Sequence, residues 1–169
     1  MRKKIILGVL ILVGLFIFTG CGNNSNISNE FKVKDVSFKF DKDTKFGNIN
    51  YKNADGLTPD ESKQAVYLQY ENKDIYDGRF VFRISMGYTN ENTLDKFLEG
   101  RETTDKKING INWKMLSIDA TSNGKETKSI NYVTEKEGTL YVVSIATFKE
   151  ANVDTDKLAE IFMNGVTIK

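Results

Sequence analysis

Over residues 80–88, Phe80, Phe82, Ile84 and Met86 alternate with Val81, Arg83 and Ser85. This period of two predicts a strand with one strongly apolar face. Val66, Leu68 and Tyr70 mark a strand before it, and the polar stretch 71–78 between them predicts a hairpin connection. The period then lengthens. Leu94, Phe97 and Leu98 share one helical stripe, Thr89 or Asn90 is placed to cap it, Glu91 falls in its first turn and Gly100 stops it. Asn109-Gly110 signals a tight turn into alternating Ile111, Trp113 and Met115. Leu116 and Ile118 are apolar out of that phase, either because they face the opposite side or because a bulge shifts the register.

After a second turn signal at Asn123-Gly124, the pattern predicts a strand over 128–134, a turn over 135–138 and a strand over 140–148. In the last of these, Tyr141, Val143 and Ile145 oppose Leu140, Val142 and Ala146, so both faces are apolar and the strand belongs at the centre of a sheet covered on each side. A final helix begins at Asp154 or Thr155, buries Leu158, Ile161 and Phe162, ends at Asn164-Gly165 and leads into a terminal strand over 166–169. Before residue 65 the pattern is looser. Residues 33–40 and 46–51 predict a hairpin around 41–45, while Asp55-Gly56 and Pro59 predict a loop or the start of a short helix over 61–64. This element order predicts an α+β fold, a mostly antiparallel β-sheet covered by two or three helices, forming a single domain over 31–169.

The N-terminal segment follows a different rule. Arg2, Lys3 and Lys4 precede an apolar run over 5–18, and Thr19 and Gly20 lead to Cys21. That layout is a secretory signal, and the run is shorter than the roughly 20 residues a spanning helix needs. Residues 22–30 offer one apolar side chain, Ile27, and predict a flexible tether. Residues 1–20 are therefore expected to be a signal peptide, and 21–30 a modified cysteine with its tether.

The residues Phe18, Thr19, Gly20 and Cys21 resemble a bacterial lipobox. The resemblance implies diacylglycerol on the Cys21 sulfur, cleavage before Cys21, further acylation in some lineages, and attachment at the outer face of the cytoplasmic membrane. The remainder resembles the PsbP fold family, a single antiparallel sheet between helices, and a type of small lipoprotein common in low-GC Gram-positive bacteria. That second likeness rests on the helix around 94–98, the run Ile108, Asn109, Gly110, Ile111, Asn112 and Trp113, and the closing segment Ile161 to Val166. It implies a PsbP-like sandwich and a binding or assembly role. None of that family's functional residues match positions in this chain.

Composition narrows the chemistry. Cys21 is the sole cysteine, which leaves no intramolecular disulfide, and the chain has no histidine. Histidine-dependent triads and cysteine–histidine zinc sites are thereby excluded. The chain carries 24 basic and 23 acidic residues, and without the three leader cations it is net −2. That balance argues against nucleic acid as a partner. Carboxylate-pair chemistry is possible in principle, but Asp55, Asp60, Glu61, Asp74, Asp77, Glu135 and Glu137 fall at turns or helix starts, where solvated side chains are expected. Asp41 and Asp43 suggest a calcium loop, yet Phe46 stands where its glycine belongs and Lys52 where its glutamate belongs. No metal site, cofactor or catalytic residue is therefore assigned.

Trp113 and Tyr141 continue apolar alternations and are expected in the core. Ile75 and Tyr76, in a polar loop with Arg79 nearby, are the expected partner-contact loop. The function these features predict is a membrane-tethered extracytoplasmic binding or accessory lipoprotein that is not an enzyme. Its partners are the membrane, through the Cys21 lipid, and an envelope protein or a small ligand. Small-molecule capture in a compact pocket is the alternative, and a carboxylate-based enzyme stands behind both.

Overall fold

The computed structural model describes residues 30–40, 44–46, 49–50, 55–60, 64–71, 80–122 and 124–169. Cys21, the 22–29 stretch, Asp41, Asp43, and the Ile75, Tyr76 and Arg79 loop lie outside the described residues. Twelve strands and two α-helices are described: β1 (Glu30–Val33), β2 (Val36–Lys39), β3 (Lys45–Phe46), β4 (Ile49–Asn50), β5 (Asp55–Asp60), β6 (Ala65–Glu71), β7 (Phe80–Thr89), α1 (Leu94–Leu98), β8 (Thr104–Ile108), β9 (Ile111–Ser122), β10 (Lys125–Lys136), β11 (Thr139–Phe148), α2 (Thr155–Met163) and β12 (Val166–Ile168). The fold is mixed α+β. Every strand pair among the described residues is antiparallel.

Seven strands form the main sheet in the order β5-β6-β7-β11-β10-β9-β8, which puts the doubly apolar β11 at its centre, as its pattern requires. Cross-strand partners share a face, and the registers therefore sort the side chains. On one face Phe82, Ile84 and Met86 of β7 stand beside Val143 and Ile145 of β11, Ile130 and Tyr132 of β10, and Trp113 of β9. This face packs on Leu158, Ala159, Phe162 and Met163 of α2, and on Val36, Phe38 and Val166 of a three-stranded sheet ordered β1-β2-β12. An aromatic cluster fills the centre, with Phe38 4.1 Å from Phe162 and 4.4 Å from Phe40, ring centre to ring centre. On the opposite face Leu116, Val133 and Leu140 meet Leu94, Phe97 and Leu98 of α1. Leu116 and Ile118 thus face away from Trp113 and Met115, and β9 keeps its register with β10 without a bulge.

Several expectations are corrected. Residues 33–40 are not one strand paired to 46–51. Lys34, at a φ of 52°, turns the chain between β1 and β2, β2 pairs with β1 and β12, and β3 pairs with β4. Glu30 belongs to β1 rather than to the tether. Asp55, Gly56 and Pro59 lie in β5, an edge strand, the position in a sheet that tolerates a proline. The cap of α1 is Thr93, whose hydroxyl accepts from the Lys96 N–H, so Glu91 precedes the helix. The turn after β10 is the pair Glu137-Gly138, both at positive φ, and Glu135 remains in the strand. The final helix starts as expected, with the Asp154 carboxylate accepting from the Lys157 N–H at 3.0 Å.

Gly165 is required by close approach rather than by its φ. An added Cβ would stand 2.3 Å from the Lys39 carbonyl oxygen, where the α2–β12 link crosses β2 and the Lys39 N–H donates to the Gly165 oxygen at 3.0 Å.

Candidate functional site: a fork between two strands

β10 is bonded to β11 along its length, from Thr127 opposite Phe148 to Lys136 opposite Thr139. Its ladder with β9 stops at Val133 opposite Lys114, although both strands continue for three more residues. There Ile111, Asn112 and Trp113 of β9 part from Thr134, Glu135 and Lys136 of β10. One side-chain bond spans the parting, from the Thr134 hydroxyl to the Asn112 carbonyl oxygen at 2.8 Å.

The two arms are held by different neighbours. Asn109 and Gly110 both sit at positive φ in the β8–β9 turn, a conformation that asparagine and glycine tolerate. The Asn109 amide nitrogen donates to the carbonyl oxygens of Val166 at 2.8 Å, Asn164 at 3.0 Å and Met163 at 3.4 Å, tying this turn to the α2–β12 link. The β10–β11 arm is tied elsewhere. The Lys34 ammonium donates to the Thr139 hydroxyl at 2.8 Å, that hydroxyl donates to Asn90, and Tyr141 donates to the Asp35 carboxylate at 3.1 Å. The Glu135 carboxylate accepts from the Leu94 N–H at 2.7 Å, at the start of α1.

The fork opens into a cleft of about 840 Å³, floored in part by Ile168 of β12. Alternation divides its lining between the two sheet faces. Trp113, Lys106, Ile111, Thr134 and Lys136 belong to the α2 side, while Leu94, Asp105, Lys107, Asn112, Lys114 and Glu135 belong to the α1 side. The carboxylates are all on the α1 side, where Asp105 pairs with Lys114 at 2.6 Å. On the α2 side no carboxylate among the described residues lines the cleft, and Lys106 and Lys136 are exposed. Trp113 is 1% exposed. Its ring meets Tyr132 edge-on at 6.4 Å, and its Nε1–H is buried without an acceptor among the described residues. A buried donor left unmatched is destabilising by about 1–3 kcal/mol, so the side chain of Trp113 brings an unsatisfied N–H to the packing behind the cleft.

Two tyrosines have phenols raised above the ordinary value. In Tyr141 the causes are burial and then the bond to Asp35; in Tyr132 they are burial and then the negative charges of Asp156 and Glu160 on α2. Among the described residues no group of three carboxylates could hold a metal, and no helix is long and apolar enough to cross a membrane.

Trp113 and Tyr141 occupy the core, as expected. The fork itself has no local sequence signal. Asn109-Gly110 reads as a turn, and nothing in its sequence says which carbonyls the amide reaches. Lys106, Thr134 and Lys136 look like ordinary strand-surface residues until the register sets them around Trp113.

No family model and no curated protein matches the chain. Among solved structures, a protein of Bacteroides thetaiotaomicron VPI-5482 is similar at a TM-score of 0.57 with 9% identity, over 83% of this chain and 48% of that one. The chain therefore spans about half the length of that protein, and the likeness is one of fold.

Proposed function

We propose that the chain is a bacterial lipoprotein, anchored through acyl chains on Cys21 to the outer face of the cytoplasmic membrane, whose PsbP-like domain binds rather than transforms its partner. The observation that carries the address is the run of Phe18, Thr19, Gly20 and Cys21 after a basic and then apolar leader. Two acyl chains hold a protein durably where one does not. The PsbP-like sandwich is supported by an antiparallel sheet with α2 on one face and α1 on the other. Ile75, Tyr76 and Arg79 retain their proposed role as a contact loop for an envelope protein.

The fork favours the second binding reading, capture of a small molecule. It combines a volume in the usual range of ligand sites with a mixed lining, in which Leu94, Ile111, Trp113 and Ile168 stand among charged and polar side chains. No catalytic step is assigned to it. The address is tested by labelling cells with an alkyne fatty acid and fractionating them. The wild-type chain should take up label, start at Cys21 and sediment with membranes, and Cys21→Ser should do none of these. An unlabelled chain with its leader intact would overturn the proposal. Crosslinking in the native membrane tests the protein-partner reading, and one partner lost on replacing Ile75 and Tyr76 by serine would support it.

A further inference from the structure

We infer that the fork is a site for a small amphipathic anion, an apolar body carrying one carboxylate or phosphate, with the head group on the α2 side of the sheet. This rests on the binding reading above and names its ligand class. Three independent features of that side agree. The first is the buried Trp113 Nε1–H, which lacks an acceptor and would donate to a head-group oxygen. The second is charge. Lys106 stands directly across the ladder from Trp113, Lys136 comes from the opposing arm, and no ion pair engages either among the described residues. The carboxylates of the cleft wall face the other side, where Lys114 and the Leu94 N–H already engage Asp105 and Glu135. The third is the apolar lining by Ile111 and Ile168, which receives the body of the ligand.

Each feature excludes a competing ligand class. On the α2 side a cation would meet two lysines and, among the described residues, no carboxylate. A purely apolar molecule would gain nothing from the Trp113 N–H or from the two lysines. A bare inorganic anion would leave Ile111 and Ile168 facing water. The site is wide enough for a ligand of drug size.

Trp113 is the only tryptophan in the chain, so its emission reports on the cleft alone. The full-length lipidated chain, held in phosphatidylcholine nanodiscs, is titrated with 4-methylvalerate, with its neutral amide and with inorganic phosphate. The carboxylate should shift Trp113 emission saturably, and the amide should bind about tenfold more weakly, the worth of two solvent-screened charge contacts. The double variant Lys106→Ala, Lys136→Ala should show the same loss toward 4-methylvalerate with unchanged thermal stability. By calorimetry, Trp113→Phe should bind more weakly while remaining folded. Repeating the measurement in nanodiscs containing phosphatidylglycerol separates sources. If the shift is already present and 4-methylvalerate no longer adds to it, the anion is a membrane lipid; if the titration is unchanged, it is a free carboxylate. Equal binding of acid and amide, full saturation by inorganic phosphate, or no saturable response to any of these probes would overturn the ligand class. None of those results bears on the address, which fatty-acid labelling of Cys21 decides separately.

Discussion

On its β11 side, β10 is hydrogen-bonded to the last residue; on its β9 side, the same strand lets go at Val133. The side chains near the two boundaries are not very different. Val133, Leu140 and Trp113 are all almost fully buried, and all continue period-two patterns. What differs is where each hairpin tip is fastened. The β8–β9 tip is pulled by Asn109 onto three carbonyls of the α2–β12 link, while the β10–β11 tip is held by Lys34 and by the start of α1. A ladder whose ends are fastened to different bodies opens where the fastenings diverge. A cleft can therefore arise between two antiparallel strands without a bulge in the ladder that joins them.

The largest expected effect tests whether Trp113 is held by packing alone. Trp113→Ala removes a ring buried against Tyr132 and should be destabilising by about 3–5 kcal/mol in chemical denaturation. Trp113→Phe keeps an aromatic ring and deletes the unmatched N–H. Its packing loss should be largely offset by relief of that buried donor, leaving a change below about 1 kcal/mol. A loss for Trp113→Phe near that of Trp113→Ala would mean that the indole N–H has a partner in the free protein, and the contrast between the two sides of β10 would weaken.

The fastening comes next. Gly165→Ala drives a methyl against the Lys39 carbonyl in a place where two backbones already touch. It should be destabilising by about 3 kcal/mol, the upper part of the overpacking range, and it should displace the carbonyls that Asn109 reaches. Asn109→Asp keeps a residue that tolerates the left-handed backbone but turns a donor into a charged acceptor facing those carbonyls. A loss of about 1–2 kcal/mol is expected, together with stronger hydrogen-exchange protection across residues 111–113 and 134–136 if the freed tip lets the ladder close. Unchanged exchange there would show that Asn109 does not hold the fork open.

The sequence is legible where the deciding interactions are local. β7 and β11 announce themselves by alternation, α2 by its stripe and by Asp154, and the Asn109-Gly110 turn by residue types that accept positive φ. It is opaque where a distant partner decides. Residues 33–40 look like one strand because neither Lys34 nor Asp35 carries a strong turn signal here, and the strand pairing with β2 on its far side, β12, lies some 130 residues away. Asp55, Gly56 and Pro59 have turn chemistry, yet an edge position tolerates them, and edge position is a property of the whole sheet. The cap of α1 is expected at Thr89 or Asn90 and falls at Thr93, because all three side chains accept hydrogen bonds and precede the same stripe. The fork has the same non-local origin, since the alternation that correctly buries Trp113 carries no record of whether the next strand stays beside it.

The smallest effect is silent at neutral pH. Tyr132 opposes Met115 in the last part of the ladder before the fork, and its phenol is raised by burial and by Asp156 and Glu160 on α2, with Lys128 bonded to Asp156. In the unfolded chain a tyrosine loses its proton near pH 10, roughly its ordinary value; in the folded chain it does so later. Between those two points the folded state carries more protons than the unfolded one, so stability falls as pH rises, and below the unfolded value the contribution is fully present. Melting temperatures followed from pH 8 to 11 should therefore decline less steeply for Tyr132→Phe than for the wild-type chain, with Tyr141, raised by burial and Asp35, accounting for part of the remaining slope. At pH 7 the substitution should stay within about 1 kcal/mol. Parallel curves for the two proteins would mean that neither burial nor the carboxylates of α2 raise the phenol in solution.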